Sequence, residues 1–287
     1  MNDKKFGKTI RIFLMDGTSD GRMACELSNW SGKAYKIPRS LVKDCSDRPE
    51  LNGTGVYILF GKTEDNSKKG VAYLGEAENI FKRLAQHLRE KDFWHEAIVL
   101  ISKDDNLNKA HIKYVEHKMY NIAIDANRFS ILNNSVPTLS SISEPDIAEM
   151  EEFIENAKMM VSILGYKIFE SLRNIVNKKN DDNLLFIKAA RGADAIGQQN
   201  NDGFLVLQNS RIADDYVKSF SPSLKNLRSR LIKEEIIEKK DDQYLFVEDY
   251  LFSSPSLAAA VIMGRNANGL KEWKTQDGRT LKSVESG

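Results

Sequence analysis

The chain has 287 residues, 41% hydrophobic and 29% charged, enough to build a real core in one large domain or two of ordinary size. Its 42 Lys and Arg against 41 Asp and Glu leave a formal net charge of +1, which excludes a uniformly basic nucleic-acid coat and a highly charged disordered tail. No apolar run approaches the ~20 residues that span a bilayer, no secretory leader is legible, and Cys25 and Cys45 are too few for a disulfide framework or a zinc set, so we expect a cytoplasmic protein with reduced thiols and no membrane partner.

Residues 9–14 (TIRIFL) are strand-like, Asp16-Gly17 reads as a turn, and residues 23–27 return as a second strand. Pro38 and Pro49 punctuate what reads as a connecting stretch. Residues 55–60 (GVYILF) and 71–75 (VAYLG) are strands of a hairpin with an enlarged polar loop over 62–69. The apolar spacing predicts a helix over 77–89, then a buried strand over 97–101, a helix over 108–126 and a third over 145–164, stopped by Gly165. Residues 177–183 (NKKNDDN) are polar and without period, and divide a first domain, 1–176, from a second, 184–287. The second carries strands over 184–189, 203–207 and 244–247 and helices over 224–232 and 255–263. The fold class expected is α+β: a small, mostly antiparallel sheet flanked by helices, with a second small α+β domain.

Within the first domain, strand alternation puts Tyr57 on the sheet face opposite Val56, Ile58 and Phe60, where it can share a face with Tyr73. Arg83 and His87 are four apart on one helix, with Arg83 roughly opposite the apolar stripe and His87 at its edge. Glu116 lies at the edge of the stripe formed by Val115 and Met119, so its carboxylate should be half-buried and in need of a cation or donors. His111 and His117 have no metal-ligand spacing and read as structural.

Gly55-Val56-Tyr57 followed by Tyr73-Leu74-Gly75 resembles the paired signature of the GIY-YIG endonucleases, with Val56 and Leu74 in place of the two isoleucines. Arg83 and His87, then Glu116, then Asn133 or Asn134 follow in the family's order, so that the resemblance covers about residues 50–140. It implies hydrolysis of nucleic-acid phosphodiester bonds with one divalent cation, Mg²⁺ or Mn²⁺, held by Glu116. It implies that Arg83 holds the scissile phosphate, that Tyr57 activates water, and that Tyr73 orients water or phosphate. His87 would be a second base or a phosphate donor, and Asn133 or Asn134 a brace. A tyrosine near a metal and an arginine should ionise more easily than free phenol. Lys82 and Arg89, on the same helix as Arg83, would meet the DNA backbone.

In the second domain Ser253-Ser254-Pro255-Ser256, the alanines 258–260, Gly264, Asn268-Gly269 and Trp273 are similar in order to the uncharacterised DUF4357 family and to the RAMA domain, which accompanies restriction and DNA-methylation genes. A local basic strip holds Arg265, Lys271, Lys274, Arg279 and Lys282 around Trp273, which suits phosphate contacts and one stacked ring; a buried Trp among solvated lysines suits it equally. The helix with Lys225, Arg228 and Arg230, followed by the Tyr244 strand, has a faint winged-helix pattern that Glu234 and Glu235 weaken. The expectation is a DNA endonuclease of restriction or phage defence, with a C-terminal DNA-targeting module and no small-molecule cofactor; the oligomeric state is left open, a dimer included. The alternatives are an inactive DNA-binding or scaffold protein on a nuclease fold, or a DNA repair nuclease.

Overall fold

The computed structural model describes residues 6–62, 69–171 and 184–286, so the linker expected at 177–183 and most of the loop over 62–69 lie outside the described residues. The chain divides into two compact units, Met1–Ser171 and Leu172–Gly287. It is α+β, as the residue patterns indicate.

The first unit runs β1 (Ile10–Leu14), β2 (Met23–Leu27), β3 (Gly32–Pro38), β4 (Gly55–Gly61), β5 (Val71–Ala77), α1 (Ile80–Glu90), β6 (Trp94–Ser102), α2 (Lys109–Ala126), β7 (Ser130–Ile131) and α3 (Glu144–Ile163). Among the described residues these strands form one seven-stranded sheet in the order β1-β2-β3-β6-β4-β5-β7. Neighbouring strands are antiparallel, apart from the short parallel pair β5–β7. The central strand β4 is buried along its whole length, because both sheet faces are covered. On one face Val56, Ile58, Phe60, Leu74 and Leu100 pack with Val115 and Met119 of α2 and Phe153 and Met160 of α3. On the other, Tyr57, Leu59, Val99 and Tyr35 pack with Ile80 and Leu84 of α1 and with Trp94.

The strand β3 corrects the expectation of a connecting stretch before Pro38. Lys33 and Lys36 break its period, yet Ala34, Tyr35 and Ile37 are buried and β3 pairs with both β2 and β6. The lysines are tolerated because Lys33 reaches Glu26 and Glu50 (3.5 Å each) and Lys36 reaches Glu96 (3.2 Å). The helix expected from residue 77 starts at Ile80, because β5 continues to Ala77 and the Asn79 side chain caps the first turn by accepting from the Lys82 amide (2.9 Å).

The second unit runs β8 (Leu184–Lys188), β9 (Asp194–Asn200), β10 (Gly203–Val206), α4 (Pro222–Lys233), β11 (Ile237–Lys240), β12 (Gln243–Phe246), β13 (Tyr250–Phe252), α5 (Pro255–Met263), α6 (Gly269–Glu272) and α7 (Leu281–Glu285). Its sheet has the order β13-β10-β9-β8, and β11 and β12 form a separate hairpin. The apolar helix α5 is buried from Ala258 to Met263 and joins β10 and β13 in one core. Trp273 is fully buried in that core, 4.5 Å from the Phe204 ring, and its Nε1 donates to the Pro255 carbonyl (3.0 Å). Gly269 is required beside it: a Cβ there would lie 2.2 Å from the Pro255 carbonyl carbon.

Trp273 is thus a core residue, which overturns the expectation that it stacks on a base. Trp273→Ala should remove about 3–5 kcal/mol from the stability of the second unit, read as an earlier urea transition. The salt dependence of any DNA binding should survive wherever the unit remains folded.

Candidate active site

In the β4–β5 register Tyr57 lies opposite Gly75 and Leu59 opposite Tyr73, so the two tyrosines are diagonal neighbours on one face. Their ring centroids are 6.4 Å apart with planes at 27°. The Tyr57 ring lies across Gly75, where a Cβ would come 2.3 Å from the hydroxyl oxygen and 2.4 Å from Cζ. Only glycine leaves the ring this path.

Helix α1 lies over the same face and buries Ile80, Leu84 and His87. At 100° per residue these set the inward direction, and Arg83 falls roughly 70° to one side of it. Arg83 is therefore at the flank of the buried face rather than opposite it. The expected stripe was pulled away by Phe81, Ala85 and Leu88, which are only partly buried. From this flank Arg83 Nε donates to Tyr57 Oη (3.2 Å), and Nη1 donates to Gln86 Oε1 (2.9 Å). His87 Nε2 is 2.7 Å from the same Tyr57 oxygen, and its ring centroid is 5.4 Å from that of Tyr57 and 5.7 Å from that of Tyr73.

His87 is 1% exposed, and its Nδ1 has no hydrogen-bond partner among the described residues; Glu90 Oε2 stands 4.0 Å away. Burial, and then the charges of Arg83 and Lys91, push His87 down to about 4, so it is neutral at physiological pH. Burial pushes the Tyr57 hydroxyl above the ordinary phenol value, and the Arg83 hydrogen bond offsets this only in part. The expectation that Tyr57 ionises easily is not met by the surrounding protein groups alone.

The far end of α1 is closed by a residue from the short 3-10 turn directly after β3. Arg39 donates to the carbonyls of Lys91 (2.6 Å) and Leu88 (2.8 Å) and lies over the Trp94 ring, 4.6 Å from its centroid. These are carbonyls that a helix end leaves without intrahelical partners. Lys91, the next residue after α1, places Nζ 4.2 Å from the Tyr73 centroid.

Glu116 projects from α2 and is half-buried. Burial, and then the neighbouring Glu76, push its carboxyl up to about 7, against the pull of Lys109, Lys113 and Arg83. Its charge also acts on Tyr57, so Glu116 stands within electrostatic reach of both Tyr57 and Arg83. Glu76 is paired with Lys109 (2.8 Å), whereas Glu116 has no hydrogen bond or ion pair among the described residues. An unpaired, half-buried carboxylate beside a second acid is an oxygen-rich donor set that fits a hard divalent cation. No cluster of three or more His, Cys, Asp or Glu side chains occurs among the described residues, so protein ligation beyond these two acids is limited.

Of the two adjacent asparagines, Asn133 is bonded to the β5 backbone: its Oδ1 accepts from the Leu74 amide (3.1 Å) and its Nδ2 donates to the Leu74 carbonyl (2.8 Å). It braces the middle of β5, between Tyr73 and Gly75. His111 and His117 are held by backbone carbonyls and asparagines, as a structural reading expects.

The basic residues expected to meet nucleic acid divide. Lys82 and Arg89 are exposed on α1, and Lys271 and Lys274 are exposed in the second unit. Arg265 is ion-paired with Glu272 (2.7 Å) and Arg279 with Asp277 (2.8 Å), which weakens the strip. Arg228 is buried and donates to the Ala213 carbonyl, so it does not read bases. Glu76, Gln86, Lys91 and Arg39 were not singled out from the sequence. Glu76 directly follows Tyr73-Leu74-Gly75 and Lys91 lies four residues after His87, both readable signals; Arg39 reaches the helix end only through tertiary structure.

Residues 185–285 match the model of a family described as a domain of unknown function, DUF4357. The second unit is thus similar to that family. No curated protein and no solved structure matches the chain.

Two measurements check this geometry. Gly75→Ala should destabilise the first unit by about 1–3 kcal/mol, the scale of overpacking, seen as a lower melting temperature. The His87 imidazole resonances should stay those of a neutral ring down to about pH 5 and move only near pH 4. Because the unfolded chain takes up this proton near pH 6.5 and the folded chain near 4, the His87 contribution to stability should fall as pH drops through that window.

Proposed function

We propose that the chain is a metal-dependent endonuclease of the GIY-YIG type that hydrolyses DNA phosphodiester bonds, with the DUF4357-like second unit as its DNA-targeting module. The observation that carries this reading is the meeting of Arg83, His87 and Tyr57 on one hydroxyl oxygen, with Glu116 unpaired nearby. A structural carboxylate at such depth is ordinarily paired. A role in restriction or phage defence rests on the likeness of the second unit alone and is an analogy rather than a chemical argument.

In the His87 tautomer protonated at Nδ1, Nε2 accepts the Tyr57 proton while Arg83 Nε–H donates to the same oxygen. When Tyr57 takes a proton from an attacking water, its own proton passes to His87, so no free phenolate need form. His87 is neutral with Nε2 in position, but the burial and the Arg83 and Lys91 charges that hold it at about 4 also make it a weak base, so the imidazolium would be short-lived and would face Glu90 from Nδ1. Arg83 offers N–H groups to a phosphate and stabilises the charge that develops on it. Tyr73, on the same face, orients the water or the phosphate. Glu116, with Glu76 beside it, would hold one Mg²⁺ or Mn²⁺, which when bound supplies positive charge to the phosphate and the leaving oxygen.

The test is cleavage of plasmids of differing methylation with Mg²⁺. Glu116→Gln should abolish cutting and leave DNA binding near that of the parent. Arg83→Lys keeps the charge but loses the fork, and should slow cleavage by at least ~10²-fold. Binding without cutting by the parent chain, across Mg²⁺ and Mn²⁺, would instead favour an inactive DNA-binding protein.

A further inference from the structure

Lys91 is half-buried, directly after the last turn of α1. It is the C-cap of α1, with extended backbone (φ −135°, ψ 123°), and its side chain reaches Tyr73. Its ammonium lies over the Tyr73 ring, 4.2 Å from the centroid. Its backbone is fixed twice: the amide donates to the His87 carbonyl (3.1 Å) and the carbonyl accepts from Arg39 (2.6 Å). Its charge is felt at His87, which places it on the same cluster as Arg83.

No carboxylate lies within ion-pair distance of either Arg83 or Lys91 among the described residues. Lys33 and Lys36, half-buried in the same unit, are by contrast each paired with an acid. Two unneutralised cations therefore flank Tyr57, His87 and Tyr73, one held by a tyrosine hydroxyl and one by a tyrosine face. A ring-seated ammonium is prepaid in side-chain order and keeps its N–H donors for an anion.

We propose that Lys91 is a substrate-binding residue of this site, holding a phosphate of the DNA backbone adjacent to the one that Arg83 faces. The inference rests on the nuclease reading and adds to it a second anion position. Tyr73 then serves as the platform that aims Lys91, besides any contact of its own with water or phosphate.

The test uses the full chain carrying Glu116→Gln, which keeps a DNA duplex intact, and measures duplex affinity across a NaCl series. Lys91→Met retains the hydrocarbon stem over Tyr73 and removes the ammonium. It should weaken binding about 5- to 10-fold near 0.1 M salt and shallow the slope of log K against log salt by roughly 0.9, the signature of one lost phosphate contact. Lys91→Arg should restore the slope, and the melting temperatures of both variants should match the parent's. In the cleaving chain, Lys91→Met should raise KM more than it lowers kcat. If the parent cuts and binds DNA while Lys91→Met keeps its slope and affinity, this inference fails and the nuclease reading stands. If the parent chain binds no duplex, both fail together.

Discussion

The site depends on one hydroxyl oxygen. Tyr57 Oη is a point at which the sheet and helix α1 meet through polar side chains, since Arg83 and His87 both converge on it from a helix whose apolar side is held by Ile80 and Leu84. Apolar contacts are tolerant of small rotations; a shared hydrogen-bond acceptor is not. The convergence sets the roll of α1 about its own axis, and with it the direction of Lys91. It is possible only because Gly75 leaves the neighbouring strand without a side chain where the Tyr57 ring passes.

The two acids are arranged on a different logic. Glu116 comes from α2, whose apolar residues cover the opposite face of the sheet from α1. Its reach to Tyr57 and Arg83 runs past β5, the strand that Asn133 braces at Leu74. Arg83 and Lys91 thus come from α1 and its end, whereas Glu116 comes from α2 on the other face and Glu76 from β5 itself. Arg83 and Glu116 form no ion pair, and burial pushes the Glu116 carboxyl up to about 7, so a bound cation would favour its ionised form.

Much of this was legible in the sequence, for definite reasons. Period-two alternation fixed which face Tyr57 takes, and Tyr73 follows from any hairpin register that pairs an odd residue of one strand with an odd residue of the other. Glu116 was readable because a charge at the edge of an apolar helical stripe has few places to go. The strand β3 was not readable, because Lys33 and Lys36 find acids that lie distant in sequence. The strand β9 (DAIGQQN) was missed as well: it hides Gln198 in the unit's interior and needs Gly197, where a Cβ would lie 2.5 Å from the Phe204 ring. Trp273 reads both ways in the sequence, because a basic run around an aromatic looks the same whether the ring faces in or out. The burial of its Nε1–H against the Pro255 carbonyl decides the matter, and that contact spans α5 and α6.

The tie from Arg39 to the end of α1 bears on how the first unit assembles. The two bonded carbonyls are 49 and 52 residues away along the chain, and β3, which delivers Arg39, pairs with β6 rather than with a sequence neighbour on that side. Closing loops of that length is entropically slow, so these contacts form late relative to the β4–β5 hairpin. An emerging chain would carry the hairpin and α1 before the helix end was tied down. The N-terminal strands are then the clasp of the first unit, and their docking ties down the end of the helix that carries Arg83 and His87.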